Sequence, residues 1–156
     1  MRYKMKFHKI IASVFGIGYI GKGGGTLAAI FYGSIWLLLP ANYTNSYWQV
    51  IITVFITALG VWTSNNVDSI WGKDSSKVVI DEVAGMAIAL LYLPQHIISM
   101  VVGLLAFRFF DIVKPLGIKK LEDWPKGWGV MADDVLAGLY ALLIVQLGFQ
   151  LKMFLN

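Results

Sequence analysis

Residues 83–107 read VAGMAIALLYLPQHIISMVVGLLAF, without a charge from end to end, and lie between Asp81-Glu82 and Arg108. The stretch is long enough for one membrane span, which takes about 20 residues. A single span would put the acidic pair and Arg108 on opposite sides. Pro94 stands near its middle, in Leu93-Pro94-Gln95-His96. Proline lacks the backbone donor that a helix interior needs and its ring clashes with the preceding turn. Two shorter helices, Val83 to Leu93 and Ile97 to Phe110, would fold back as a hairpin and bring both charged ends to one side. Short interrupted helices are tolerated in a membrane when other protein buries them. The hairpin also keeps the basic loop after Arg108 on the side of the basic N-terminus, as the positive-inside tendency favours.

Outward from the hairpin, no residue from Gly23 to Val67 is charged. That is too long for one span, and it divides at the turn-rich segment Pro40–Ser46, PANYTNS. Helices are expected near Thr26 to Leu39 and Trp48 to Ser64, the first able to begin around Ile10 with a break at the glycines. Tyr43, Tyr47 and Trp48 would form an interfacial aromatic belt. Asn65 to Ile80 reads as a polar loop on the side of the N-terminus, Asp111 to Met131 as a second loop, and Asp134 to Phe154 as a last apolar run. The basic start followed by an apolar run has no clear cleavage site and leads straight into more apolar sequence, so it reads as mature protein. The expected fold is all-α: a polytopic integral membrane bundle of about four to five membrane helices, including the hairpin broken at Pro94, in a single domain over residues 1–156.

Composition supports this. Hydrophobic residues make up 58% and charged residues 14%, with a mean hydropathy of +0.69; soluble domains carry about 25% charged residues. A small soluble domain has too much surface for its volume to hide that apolar content. Cysteine is absent, which excludes disulfides, thiolate metal sites and a cysteine nucleophile. The two histidines, His8 and His96, exclude a histidine-rich metal site. The basic residues flank apolar runs and form no stripe on a soluble face, so nucleic acid is not an expected partner; an anionic lipid surface suits them better. All nine acidic residues fall between Asp68 and Asp134.

Four groups could carry chemistry. Gly21-Lys22-Gly23-Gly24-Gly25-Thr26 precedes an apolar helix; amides at a helix N-terminus attract anions, although the spacing is not that of a nucleotide P-loop. Asp81 and Glu82, with Asp74 nearby, open another apolar helix, where acids also act as plain caps. Arg108 and Asp111 share a helical face, with Lys114 one turn on; an ordinary surface ion pair would look the same. Asp133-Asp134 opens the last apolar run, and two adjacent carboxylates repel unless a cation or water screens them. Together the carboxylates lie at several helix ends that can converge on one side. Mg²⁺ takes such oxygen ligands together with substrate phosphate, and Arg108 and Lys114 could hold phosphate oxygens. Such residues suit hydrolysis of a phosphate monoester at a membrane surface. A small ion-coupled membrane transporter would also place acids near helix ends, but would more often bury charges in mid-span.

Three stretches, GIGYIGKGGGT, KDSSKVVIDEVAGM and FRFFDIVKPLGIKKLEDWPKGWGVMADDVLAGLYA, resemble the phosphatidylglycerophosphatase A family in order and spacing. The resemblance implies a Mg²⁺-dependent phosphatase that converts phosphatidylglycerophosphate into phosphatidylglycerol in phospholipid biosynthesis. It also implies a multi-pass protein of the bacterial inner membrane with its site facing the cytoplasm. The family's acidic positions fall on Asp74, Asp81, Glu82, Asp111, Asp133 and Asp134, as metal ligands, with Asp81, Asp111 and Asp134 also catalytic. Its basic positions fall on Arg108 and Lys114, both catalytic and phosphate-binding, and its glycine-threonine pair on Gly25 and Thr26, which bind substrate. Many members carry a proline-containing loop of the type SPxAPGT where this chain has IGKGGGT, and Lys22 is a further candidate for holding the headgroup.

Overall fold

The computed structural model describes residues 2–73 and 75–155. Six α-helices form a bundle: α1 Arg2–Ala12, α2 Gly24–Leu38, α3 Trp48–Trp71, α4 Ile80–Ala89, α5 Ile97–Val113 and α6 Gly127–Leu155. Short 3₁₀ turns cover Ile17–Ile20, Ala41–Asn45 and Ile118–Asp123, and no strand occurs among the described residues. The all-α expectation therefore holds.

At the centre is α4. Every residue from Val83 to Ala89 is buried, along with Ile80, because α2, α3, α5 and α6 surround it. Its sequence, IDEVAGMAIA, supplies small side chains that let neighbours close in. The tightest approach is to α6. A Cβ on Gly138 would stand 2.5 Å from the Gly85 carbonyl oxygen, and one on Gly85 would lie 2.9 Å from the Asp134 carbonyl oxygen. The two backbones thus touch, as small residues allow between membrane helices. The pairing of Asp81 with Asp134 and of Gly85 with Gly138 shows that α4 and α6 run parallel.

α5 runs antiparallel to α4: Glu82 faces Arg108, Gly85 faces Phe107 and Leu90 faces Gly103. The hairpin at Pro94 is present, with α4 ending at Ala89, short of the expected Leu93. Side-chain hydrogen bonds in both directions tie the turn to the neighbouring helices. The Tyr92 amide donates to Gln49 Oε1 at 3.0 Å, and Gln95 Nε2 donates to the carbonyls of Trp36 and Leu39 at 2.5 and 2.8 Å. Both carbonyls lie at the end of α2, where the helix lacks donors of its own; the Trp36 carbonyl also accepts the Leu39 amide at 3.4 Å.

Three boundaries differ from expectation. α3 continues past Ser64 to Trp71, because Asn65 Oδ1 accepts a 2.8 Å hydrogen bond from the Gly127 amide and so serves the bundle rather than a loop. The same bond satisfies a free donor at the start of α6, which begins at Gly127 instead of Asp134. Asp133 and Asp134 therefore lie inside the helix and do not cap it. α5 extends to Val113, which makes Asp111 helical. Of the expected aromatic belt, Tyr47 and Trp48 are exposed with ring centroids 5.5 Å apart, whereas Tyr43 is buried.

Two helices, α3 and the Gly127–Leu151 part of α6, are long and apolar enough to cross a membrane by length and composition. α4, with 10 residues, is about 15 Å long, half a hydrocarbon core.

The α4–α6 contact is testable. Gly138→Ala should destabilise the protein by about 1–3 kcal/mol, since the new methyl meets backbone that cannot move aside. Gly148→Ala, in the same helix with open space around it, should be neutral or stabilise by up to about 1 kcal/mol. Thermal unfolding of both variants in detergent checks this; equal midpoints would reject backbone contact as the organising feature.

Candidate active site

The α4–α6 crossing sets the positions of the acids. Asp81 lies four residues before Gly85, and Asp134 four residues before Gly138. Each carboxylate therefore sits one turn below its glycine on the same helical face. Because the glycines touch, the carboxylates share a layer. Glu82, next on α4, joins them: oxygens of Asp81, Glu82 and Asp134 all lie within 4.8 Å of one another. α2 closes the side of this group. A side chain on Gly25 would run into Glu82 Oε1, so only glycine lets the start of α2 come this near.

Two cations face the acids from the end of α5. Arg108 Nη1 is 2.6 Å from Asp111 Oδ2 and 3.8 Å from Glu82 Oε1. Lys114, the residue after α5, has a left-handed backbone with φ 48°. Its Nζ donates to Asp133 Oδ2 at 2.6 Å and to Glu122 Oε1 at 2.5 Å. Burial alone would lower the Lys114 pKa, but the hydrogen bonds and charges of Asp133 and Glu122 outweigh it and raise the value well above the usual lysine range. With the folded value raised, the pairing is fully formed below the ordinary lysine pKa and is lost only as pH rises beyond it. Lys114 is thus a fixed cation at any working pH.

These groups line one cavity of about 350 Å³. Its walls include Asp81 and Glu82 from α4, Arg108, Asp111 and Lys114 from the end of α5, Asp133 and Asp134 from α6, and Gly21, Lys22, Gly23 and Gly25 from the loop into α2. Ser75, Ser76 and Val78 complete it. Of the residues expected in a site, Asp74 lies outside the described residues, and Thr26 lies in the first turn of α2 but not in the cavity wall. Ser75, Ser76 and Glu122 had no assigned role. The serines sit in a stretch that reads simply as a polar loop. Glu122 follows Lys114 by eight residues through a 3₁₀ turn, a separation that no helical face predicts.

The cavity holds complementary unsatisfied groups. Asp81 Oδ1, Glu82 Oε2, Asp133 Oδ1 and Asp134 Oδ1 are buried acceptors with no hydrogen-bond partner, and Arg108 Nε is a buried donor in the same state, while Nη1 has the Asp111 carboxylate at 2.6 Å. Buried polar atoms are nearly always paired. Acceptors crowded on one wall fit a hard cation, whose ligands are such oxygens. The unpartnered Arg108 Nε–H beside them fits an anion with several oxygens. The starts of α2 and α4 add their positive dipole ends.

The model of the family described as phosphatidylglycerophosphatase A matches residues 10–149. A protein of Bacteroides thetaiotaomicron named "Putative phosphatidylinositol-3-phosphatase" is 39% identical over 144 residues, covering 87% of this chain and 89% of its own. A Haemophilus influenzae protein named "Phosphatidylglycerophosphatase A" is 31% identical over 139 residues, covering 87% and 85%. No solved structure matches.

The crowding of carboxylates makes a prediction with two readouts. Asp134→Asn should remove one of three mutually repelling charges. In metal-free buffer the variant's Tm should rise by roughly 2–4 °C, equivalent to about 1 kcal/mol, while hydrolysis of a phosphomonoester falls to background. A variant with full activity, or with a lower Tm in metal-free buffer, would contradict this account.

Proposed function

The chain belongs to the phosphatidylglycerophosphatase A family, and on that premise we propose a membrane-embedded, Mg²⁺-dependent phosphatase acting in phospholipid biosynthesis. Its reaction removes the terminal phosphate of phosphatidylglycerophosphate and leaves phosphatidylglycerol and inorganic phosphate. The observation that carries this reading is the presence, in one cavity, of unpartnered carboxylate oxygens beside the unpartnered Nε of Arg108.

Asp81, Glu82 and Asp134 would hold the Mg²⁺, with Asp111 and Asp133 beside them already engaged by Arg108 and Lys114. A bound divalent cation at this place supplies charge neutralisation for phosphate oxygens and eases deprotonation of water. The chain's own groups do the rest. Arg108 directs its unpartnered Nε–H to the equatorial phosphate oxygens, and Asp111, 2.6 Å from Nη1, fixes the guanidinium in place. Lys114 keeps a permanent positive charge near the same oxygens. A water oxygen attacks phosphorus as the bond from phosphorus to the lipid oxygen breaks. The proton of that water passes to a carboxylate. Asp133 Oδ1 is suited to take it, being unpartnered while Lys114 holds the other oxygen. The leaving lipid alkoxide takes a proton from solvent. Trapping of a phosphorylated aspartate during turnover would reject this direct route.

The membrane reading rests on α3 and α6 and on their outward side chains. Val54, Phe55, Leu143, Ile144, Leu147 and Leu151 are all more than half exposed, a surface that lipid covers at no cost and water does not. We propose a multi-pass arrangement in the bacterial inner membrane, with the cavity on the cytoplasmic side. Lys73, Lys77, Lys114, Lys119, Lys120 and Lys126 cluster at the cavity end, whereas the far-end loops, 39–47 and 90–96, carry no lysine or arginine. That asymmetry agrees with the positive-inside tendency. The acids gather at one end of the bundle rather than along it, which favours chemistry at a surface over ion transport through the bundle.

A second substrate enters on the name of the Bacteroides relative. Phosphatidylinositol 3-phosphate offers the same terminal phosphomonoester on a different head. Purified protein should release phosphate from phosphatidylglycerophosphate in Mg²⁺ and lose at least about 100-fold in rate in EDTA; faster release from phosphatidylinositol 3-phosphate would transfer the assignment to that lipid. For topology, the cysteine-free chain allows clean labelling. Cysteines at Lys73 and Lys119 should react from the same face of inverted vesicles, and one at Ala41 from the other. Reaction of all three from one face would reject the arrangement.

A further inference from the structure

A cluster of cations outside the catalytic acids stands at the rim of the cavity. Trp71, the last residue of α3, has Lys9 Nζ and Lys77 Nζ each 5.9 Å from its ring centroid. Lys77 Nζ is also 6.0 Å from the Tyr19 ring, and Tyr19 and Trp71 meet edge to face at 5.8 Å. Lys9 and Lys77 thus share the Trp71 ring, and among the described residues the ion pairs engage only Arg108 and Lys114. Two ammonium groups on one ring repel each other, and cation–π contacts at a wet surface offset only part of that. An anion between them would relieve it.

The cluster is built in place. The Val79 amide donates to the Ala12 carbonyl at 2.9 Å, which joins the end of α1 to the turn before α4. Gly18 packs so closely on the Lys77 backbone that any side chain there would overlap the carbonyl. The cluster is also continuous with the cavity: Ser76 and Val78 line it on either side of Lys77, and Gly21 and Lys22 line it just after Tyr19. Neighbouring Cα atoms are about 3.8 Å apart, so the Lys77 backbone stands beside the cavity lining, and Lys9 is tied to it through the shared Trp71 ring.

Resting on the function proposed above, we infer that Lys9 and Lys77, held on Trp71 and Tyr19, bind the second phosphate of the substrate. That group is the phosphodiester joining the head to diacylglycerol. The terminal monoester then enters the cavity while the diester stays at the rim. The pair makes the enzyme selective for lipids that carry a diester behind the monoester, a feature shared by phosphatidylglycerophosphate and phosphatidylinositol 3-phosphate and missing from phosphatidic acid. Lys9 and Lys77 are specificity-determining, not catalytic.

The test compares kcat/KM for phosphatidylglycerophosphate and phosphatidic acid, each in neutral phosphatidylcholine vesicles, for the full-length protein and for Lys77→Gln and Lys9→Gln/Lys77→Gln. The expected result is a fall of about ten-fold in the diester-to-phosphatidate ratio for the double variant, carried by KM, with the ratio restored in Lys9→Arg/Lys77→Arg. An unchanged ratio, whether both activities fall or neither does, overturns the inference and leaves the cluster as a clamp between α1 and α3. A ratio that changes only when the vesicles contain anionic carrier lipid also overturns it, because the lysines would then be reading bulk lipid. Lys77 is exposed, so the single variant keeps the test open if the double variant fails to fold. Failure of the wild-type protein to hydrolyse either lipid removes the underlying function instead, a result distinct from an unchanged ratio.

Discussion

The backbone contact between Gly85 and Gly138 is the constraint on which the site depends. It brings the backbones of α4 and α6 together with no room for a side chain between them, and the helical repeat does the rest. Asp81 and Asp134 are each placed one turn from the contact, so their separation follows from main-chain geometry rather than from flexible side chains. A site that must hold three acids together against their own repulsion gains from this rigidity. Side-chain packing alone would relax and let the charges drift apart; backbone in contact with backbone cannot.

The cations are placed by a different device. α5 returns antiparallel beside α4 and delivers Arg108 opposite Glu82, while a left-handed residue at its end turns Lys114 back towards α6. The arrangement separates two classes of carboxylate. Asp111 and Asp133 are answered at close range by cations of the chain, Glu82 stands 3.8 Å from Arg108, and Asp81 and Asp134 have no ion pair among the described residues. Charge is therefore balanced around Asp111 and Asp133 and left open at Asp81 and Asp134. The proposed Mg²⁺ would use that difference.

Much of this is legible in the sequence. The run of uncharged residues with Pro94 at its centre contains the hairpin, since proline's missing donor cannot be hidden in a span. Asp81-Glu82 and Arg108-Asp111 announce themselves as charges at the edges of apolar stretches. What the sequence hides is cooperation between distant residues. Asn65 looks like the start of a loop and is in fact the cap for Gly127, so both adjoining helix ends fall several residues from where local pattern puts them. Asp133 and Asp134 look like a helix start for the same reason. Glu122 has no periodic relation to Lys114, and the roles of Gly85 and Gly138 emerge only when the two helices are seen to cross.

The central position of α4 also bears on how the protein is made. Its glycine face and Asp81 are covered by α6, which follows the hairpin in the chain. Before α6 is made, the hairpin has α2 and α3 for company, tied through Gln95 and Gln49 at the far end, and Glu82 has Arg108 beside it, but Asp81 lacks Asp134. The acid cluster is therefore complete only after both arms of the hairpin have been synthesised.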